Sequence, residues 1–393
     1  MKITAANARV QAERYIPTIK EYPDVYEGRG IVICGGGVRL FTSAWVCINM
    51  LRRAGCQLPI ELWHLGPKEM DSSMRALIAE LGVVCVDGWE MRKRFPSQIL
   101  NGWELKAYSL LHCKFEEVIL FDADNVPVVD PEFLFETKLY RETGAIFWPD
   151  LLRLAPGRLI WNYCGVSYRD EPEFESGQIV VNKKTCWKAL NLAMWYNEHS
   201  DFFYQHILGD KETFHMAWRK LGQRYGMISK PVLLRAGVMY QHDLEGNIIF
   251  QHRNQLKWRY HEDNPETAGF MYYSECLGYI EQLKKLWQGF VERDFSSASD
   301  RLKPVIKAIT TSAYKYVRVG YDERPINFLP NGRIDTSKND LEQFWDVYEE
   351  RENVYLEILS DRLKVCSLSL GRDNVWRGKW LHYEKMPIVL SAL

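Results

Sequence analysis

Short apolar segments alternate with helical segments over the first 120 residues of this chain. Four of them fit buried strands, at residues 31–34, 60–64, 83–86 and 117–121. Strands that are separated by helices pair in parallel, so the alternation predicts an α/β fold with a parallel sheet. Ligands of such sheets bind beyond the carboxyl ends of the strands. Functional residues are therefore expected directly after these segments.

Composition narrows the class of protein. Among 393 residues, 47% are hydrophobic and 26% are charged, which excludes disordered and fibrous chains. The 50 lysines and arginines balance the 51 acidic residues, so no overall charge favours nucleic acid. Nine widely spaced cysteines without a Cys-x-x-Cys pair argue against disulfides and a zinc site.

The chain shows neither a secretory signal nor a run of 18 apolar residues. We therefore expect a cytoplasmic protein without a transmembrane segment, for which peripheral contact with a membrane remains open. The sequence does not indicate an oligomeric state.

The pattern of apolar residues changes after about residue 265. A helical stretch comes first, and short alternating runs broken by turn residues follow from residue 314. We expect four segments: an N-terminal extension (1–27), an α/β domain (28–265), a helical linker (266–313) and a small antiparallel β module (314–393). In the module, Trp376–Trp380, His382 and Tyr383 either bind a glycan, pack a core or mediate dimerisation.

The sharpest motif is Asp-Ala-Asp at residues 122–124, at the end of the fourth apolar segment. In an extended segment residues two apart point the same way, so Asp122 and Asp124 can offer carboxylates to one hard cation. Alternatively, the pair caps a turn. Phosphohydrolases of the haloacid-dehalogenase type also carry Asp-x-Asp after a strand. In that class a later Gly-Asp-x-x-x-Asp supplies an acid, and here Phe214 stands in its last position.

Further motifs follow in a fixed order. They are Gly-Trp-Glu-Leu-Lys-Ala at 102–107, Asp-Ala-Asp-Asn-Val-Pro-Val at 122–128, Phe-Trp-Pro-Asp at 147–150, Glu-Ser-Gly-Gln-Ile-Val-Val-Asn-Lys at 175–183, Gly-Asp-Lys-Glu-Thr-Phe at 209–214 and Gln-His-Arg-Asn at 251–254. The series resembles the fungal Golgi-type α-mannosyltransferase family and its bacterial relatives, over roughly residues 31–260. These are nucleotide-sugar glycosyltransferases of the GT-A type.

The resemblance implies a metal-bound donor. Asp122 and Asp124 would hold Mn²⁺ or Mg²⁺ on the donor diphosphate, and His252 would complete the shell. His242 is the competing histidine. An imidazole ligand favours Mn²⁺ over Mg²⁺. The resemblance also implies donor-binding roles for Gly35, Gly36, Lys106, Lys257 and Trp258.

On the acceptor side, the resemblance points to Glu175 and Asp210 as the catalytic candidates near the anomeric carbon. Further candidates for binding substrate are Trp148, Asp150, Gly177 and Gln178. Two structural alternatives remain open: Glu175 lies in a β-bulge with an exposed carboxylate, and Asp210 caps the predicted helix 211–221.

The predicted function is the transfer of a hexosyl unit, with mannose favoured, from a GDP- or UDP-linked sugar to a glycan or glycolipid. The resemblance suggests that the transfer retains the anomeric configuration. A phosphohydrolase and a non-catalytic glycan-binding protein are the alternatives. The sequence identifies neither the donor base nor the acceptor.

Overall fold

The computed structural model describes residues 2–335, 341–360, 363–381 and 386–393. The chain divides into two compact units, Met1–Gly289 and Phe290–Leu393, and each is described by itself. Among the described residues, none of the helices has the length and apolar character needed to cross a membrane.

The helices and strands of the first unit follow in chain order. The helices are α1 (Ala8–Tyr15), α2 (Gly37–Arg53), α3 (Ser72–Ala79), α4 (Gly88–Arg94), α5 (Glu104–His112), α6 (Lys138–Thr143), α7 (Ile160–Cys164), α8 (Lys183–Glu198), α9 (Ser200–Phe203), α10 (Lys211–Leu221) and α11 (Tyr273–Leu286), with short 3₁₀ helices at Ile16–Thr18 and Pro131–Glu136. The strands are β1 (Arg29–Cys34), β2 (Ile60–His64), β3 (Val83–Asp87), β4 (Glu117–Asp122), β5 (Asn125–Pro127), β6 (Ala145–Pro149), β7 (Phe174–Asn182), β8 (Gly226–Met227), β9 (Leu233–Arg235), β10 (Val238–His242) and β11 (Ile248–His252).

The main sheet of this unit has the strand order β3-β2-β1-β4-β7-β6-β8. Strands β1 to β4 pair in parallel, whereas β7 runs antiparallel to both β4 and β6. The predicted α/β fold with a parallel sheet is confirmed. The antiparallel β7 was not predicted, because direction is set by the connection and leaves no mark in the apolar pattern.

A smaller antiparallel sheet lies beside the main one, with the order β5-β11-β10-β9. Its first strand, β5, begins three residues after β4 ends. The indole N–H of Trp148 in β6 donates to the carbonyl of His242 in β10 over 2.8 Å, so a buried hydrogen bond joins the two sheets. This second sheet was also not predicted.

The second unit is a closed antiparallel sheet. It contains α12 (Leu302–Thr311) and the strands β12 (Tyr314–Arg318), β13 (Asp322–Phe328), β14 (Ile334–Asp335), β15 (Phe344–Glu350), β16 (Asn353–Leu359), β17 (Lys364–Leu370), β18 (Trp376–Trp380) and β19 (Pro387–Ala392). The order is β14-β13-β12-β19-β18-β17-β16-β15, and a bridge between Arg333 and Phe344 joins its two ends.

The predicted antiparallel module is confirmed in this unit. Trp376 and Trp380 are buried in its core, which favours packing over glycan binding for these two side chains. His382 and Tyr383 lie outside the described residues. The predicted linker 266–313 is shared between the units, since α11 belongs to the first and α12 to the second. The segment boundaries stay predictions.

A polar network holds α10 against the segment that leads into β7. The Glu171 carboxylate accepts hydrogen bonds from His215 (2.9 Å) and Tyr225 (2.6 Å), and Arg169 and Arg219 lie within 4 Å of it. Burial alone would raise the pKa of Glu171, but these partners lower it to about 2. Burial also lowers the pKa of His215, so a neutral imidazole donates this bond.

Glu171→Gln is expected to lower the free energy of unfolding at pH 7 by about 2 kcal/mol, because the charge-assisted bonds are lost. A carboxyl with a lowered pKa contributes stability above the pKa of the unfolded chain and loses it as the pH falls. The difference in the free energy of unfolding between wild type and variant should therefore become smaller as the pH falls from 4.5 towards 2. Urea unfolding at several pH values measures this. The exposed Glu142 supplies the control, Glu142→Gln, and a difference independent of pH would contradict the expectation.

Candidate active site

Two aspartates lie where the buried strand β4 ends. The Asp122 side chain is partly exposed, whereas Asp124 is only 2% exposed. Ala123, between them, packs against Gly35 at the end of β1, where an added β-carbon would lie 3.0 Å from the alanine methyl. The carboxyl ends of β1 and β4 thus bring the glycine loop and both acids together.

Pairing between β5 and β11 adds His252 to these acids. His252 stands opposite Asn125 in that ladder, one residue beyond Asp124. Its Nε2 lies 3.4 Å from Asp124 Oδ1 and 3.8 Å from Asp122 Oδ2. One ligand atom from each of the three residues fits within 4.8 Å of the others. Among the described residues this is the one such group, and His242 is not in it.

Two lysines flank the group. Lys106 Nζ lies 2.8 Å from Asp122 and 3.5 Å from Asp210, and Lys257 pairs with Asp124. Two lysines thus face the carboxylates of Asp122, Asp124 and Asp210. The excess negative charge and the oxygen-rich donor set fit a divalent cation.

The pKa values reflect this crowding. Burial would raise the pKa of Asp124, but His252 and Lys257 hold it well below its ordinary value. Burial would lower the pKa of His252, but Asp124 and then Glu175 raise it to about 9. Burial raises the pKa of Asp210, against the effect of Lys106. The raised pKa of His252 means that its imidazolium compensates part of the negative charge of the carboxylates.

Glu175 approaches the same group from β7. Its Oε1 accepts the N–H of Gly177 over 2.7 Å and lies 3.6 Å from Nδ1 of His252. Burial, with Asp150 and Asp122 nearby, raises the pKa of Glu175, although His252 opposes this. The register between β6 and β7 shifts here, and the carboxylate is buried. A β-carbon at Gly177 would lie 2.5 Å from Nδ1 of His252, so glycine is needed for this approach.

Asp210 precedes α10, but its side chain makes no capping hydrogen bond. The carboxylate instead lies near Lys106, 3.5 Å away. The structural alternative for Asp210 is therefore not observed.

A cleft of about 650 Å³ opens at this edge of the sheet. Its lining includes Asp122, Asp124, Lys106, Lys257 and the glycines 35 and 36. The site residues from β4, α5 and the loop after β11 therefore face one space.

Sequence reasoning missed several other residues of the cleft, among them Arg39, Glu69, Trp103, Glu104 and Tyr204. Most lie in loops or helix ends outside any short motif. Trp103 and Glu104 are the exception, because they belong to the motif at residues 102–107. That motif was the signal that could have identified them.

Eight predicted residues are not among those that line the cleft. Glu175, Gly177, Asp210 and His252 still belong to the group around the two aspartates. The other four lie elsewhere. Trp148 is fully buried between the two sheets, and Trp258 is buried beneath the Arg253 guanidinium, 3.8 Å from its ring centre. Gln178 is fully buried and accepts a hydrogen bond from Asn125. Asp150 pairs with Lys211 and lines a separate cavity of about 380 Å³.

Gly177→Ala is expected to lower the free energy of unfolding by about 1–3 kcal/mol, because the added methyl overlaps the His252 ring. In a His252→Ala background, Gly177→Ala should lower the free energy of unfolding by less. Urea unfolding of wild type, the two single variants and the double variant would measure this. Gly278→Ala in α11 is the control, since its β-carbon meets open space. An equal loss of unfolding free energy in both backgrounds would show that the added methyl does not act through the His252 ring.

Comparison with known families identifies the chain. Residues 28–160 and 166–253 match the family described as "Mannosyltransferase putative". The match covers more than half of the chain and includes both aspartates and His252. The chain belongs to this family. The predicted resemblance is confirmed, and at the level of the family so is the prediction of a glycosyltransferase. Neither alternative function finds support.

The curated relatives are fungal. The chain is 28% identical over 268 residues to alpha-1,2-mannosyltransferase MNN21 of Candida albicans, covering 54% of this chain and 40% of the relative. It is 26% identical over 279 residues to alpha-1,2-mannosyltransferase MNN2 of Saccharomyces cerevisiae, covering 59% and 46%. The chain thus spans less than half the length of these two relatives.

Solved structures show distant likenesses. The glycosyltransferase GlyE of Streptococcus pneumoniae is 15% identical with a TM-score of 0.42, covering 66% of this chain and 64% of that one. The mannosyltransferase Ktr4p of S. cerevisiae is 10% identical with a TM-score of 0.35, covering 55% and 74%. Likenesses this distant carry no argument about function.

The expectation of a cytoplasmic protein is wrong. The relatives are fungal mannosyltransferases of the Golgi type, which belong to the lumen of the secretory pathway. The expectation depended on the absence of an apolar segment, and such an absence does not report a compartment.

Proposed function

We propose that this protein transfers a hexosyl unit, with mannose favoured, from a nucleotide diphosphate sugar to a glycan or glycolipid, with retention at the anomeric carbon. The observation that carries the proposal is the group formed by Asp122, Asp124 and His252 at a cleft, in a chain of a mannosyltransferase family. The cleft, at about 650 Å³, is of the size that holds a nucleotide sugar.

Mn²⁺ is the cation that we propose for this group. Two carboxylates and one imidazole suit Mn²⁺ better than Mg²⁺, which prefers oxygen ligands alone. A bound cation of this kind supplies Lewis-acid stabilisation of the departing diphosphate. Lys257 and Lys106 contribute further positive charge beside it, since each already pairs with one of the aspartates.

The nucleoside would occupy the part of the cleft formed by the β1–α2 loop. Gly35 and Gly36 line the cleft there. A β-carbon at Gly36 would lie 2.6 Å from the side chain of Glu69, so the loop is packed as closely as glycine allows. The exposed Arg39, in the first turn of α2, provides a cation for ribose or phosphate oxygens.

The reaction breaks the bond between the anomeric carbon and a phosphate oxygen and joins that carbon to an acceptor hydroxyl oxygen, whose proton is released. Glu175 and Asp210 are the carboxylates that we place beside this centre. The N–H of Gly177 donates a hydrogen bond to Oε1 of Glu175 and so holds this carboxylate in place. With retention, either a carboxylate attacks first or the leaving phosphate guides the acceptor on the same face.

The first test is a panel of GDP- and UDP-linked sugars incubated with the protein, with Mn²⁺ or with chelator, measuring release of nucleoside diphosphate with and without mannoside acceptors. One Mn²⁺-dependent donor is expected. Asp124→Ala should reduce its turnover by roughly 100-fold or more, because one cation ligand is lost.

Asp300→Ala, at a side chain that is 98% exposed, is the control and should keep full activity. Binding of Mn²⁺ itself is measured by electron paramagnetic resonance. An Asp124→Ala protein that binds Mn²⁺ and turns over donor at the wild-type rate would contradict the assignment of the site.

A further inference from the structure

Glu104, in the first turn of α5, carries a buried carboxylate oxygen that lacks a hydrogen-bond partner among the described residues. The residue is 3% exposed and lines the cleft. Its Oε2 is buried without a hydrogen-bond partner in the part of the chain that the structure describes. An unpartnered buried carboxylate is strongly destabilising. A folded protein that keeps one at a cleft is suited to a ligand that supplies the missing donors.

The neighbouring Trp103 is exposed at the same place. Its side chain is 59% exposed, although most tryptophans of this chain are buried. The indole lies over Gly209, where an added β-carbon would be 3.1 Å from the ring. The ring of Tyr204 lies 6.0 Å away and also lines the cleft. The two rings form an apolar surface beside the unpartnered carboxylate.

This surface adjoins the proposed centre of reaction. Gly209, beneath the indole, directly precedes Asp210 in the chain, and Asp210 lies 3.5 Å from Lys106. Lys106 in turn contacts Asp122. Trp103 is therefore linked to the cation group through Gly209, Asp210 and Lys106.

The charged side chains near Trp103 and Glu104 indicate which kind of ligand this part of the cleft can bind. Burial, followed by the charges of Asp210 and Glu104, raises the pKa of the Tyr204 hydroxyl, so both acids act on one small region. Two carboxylates repel phosphate. They accept hydrogen bonds from neutral hydroxyls, and an exposed indole face stacks on the C–H face of a pyranose.

We propose that Trp103, Glu104 and Tyr204 form the subsite for the hexosyl unit of the donor: Glu104 accepts hydrogen bonds from sugar hydroxyls, and the two rings contact the apolar face of the sugar. This assignment rests on the proposed function, and it adds residues to which the sequence motifs gave no role.

The test compares a nucleoside diphosphate with its sugar conjugate. Calorimetric titration with Mn²⁺ present measures GDP against GDP-mannose and UDP against UDP-glucose, for wild type, Trp103→Ala, Glu104→Gln and the control Glu142→Gln. In the variants we expect affinity for the sugar conjugate to fall roughly tenfold while affinity for the free diphosphate is unchanged. Glu104→Gln should also keep or raise the midpoint of thermal unfolding, because it replaces a carboxyl group that has a buried unpartnered oxygen.

The outcomes separate the two proposals. Equal weakening of diphosphate and sugar conjugate would place the nucleoside at this end and overturn the subsite, as would unchanged affinity for both. A clear loss of thermal stability in Glu104→Gln would show a structural role for the carboxylate and also overturn it. Wild type that binds neither ligand pair would overturn the proposed function itself, and the subsite with it.

Discussion

The candidate site depends on the short ladder between β5 and β11. The two strands come from distant parts of the chain, and their pairing sets His252 opposite Asn125. A backbone hydrogen bond from the Arg253 N–H to the Asp124 carbonyl, at 3.0 Å, continues the same contact. Without this ladder the two aspartates would end a strand beside open solvent, and the imidazole would have no fixed position.

Charge balance is the second condition for this arrangement. Asp124 is buried, and desolvation alone would favour its neutral form. Lys257 and the His252 imidazolium reverse that preference, while Lys106 serves Asp122 and Asp210 together. Each of these positively charged side chains lies in a different segment from the carboxylate that it neutralises. The local electrostatics therefore hold the site only when the whole unit is folded.

The sequence predicted the part of this site that lies within single segments. The parallel strands and the acids after β4 follow from the local apolar pattern, whereas the grouping with His252 was implied only by the resemblance of the ordered motifs to a family. The roles of Trp148 and Trp258 did not follow, because a tryptophan near a motif gives no sign of whether its ring faces a cleft or a core. Glu104 illustrates the converse: its missing partner is a property of the folded environment, which no spacing of residues reveals.

The junction between the two ends of the sheet in the second unit limits how this unit can bind a partner. Hydrogen bonds from Ile334 to Gln343 and from Trp345 to Gly332 join the first and last strands of its described sheet. The junction occupies the outer edge of β15 at its first residues, so an extended polypeptide could add as a strand there only by displacing these bonds. Recognition at this junction is thereby left to side chains and loops.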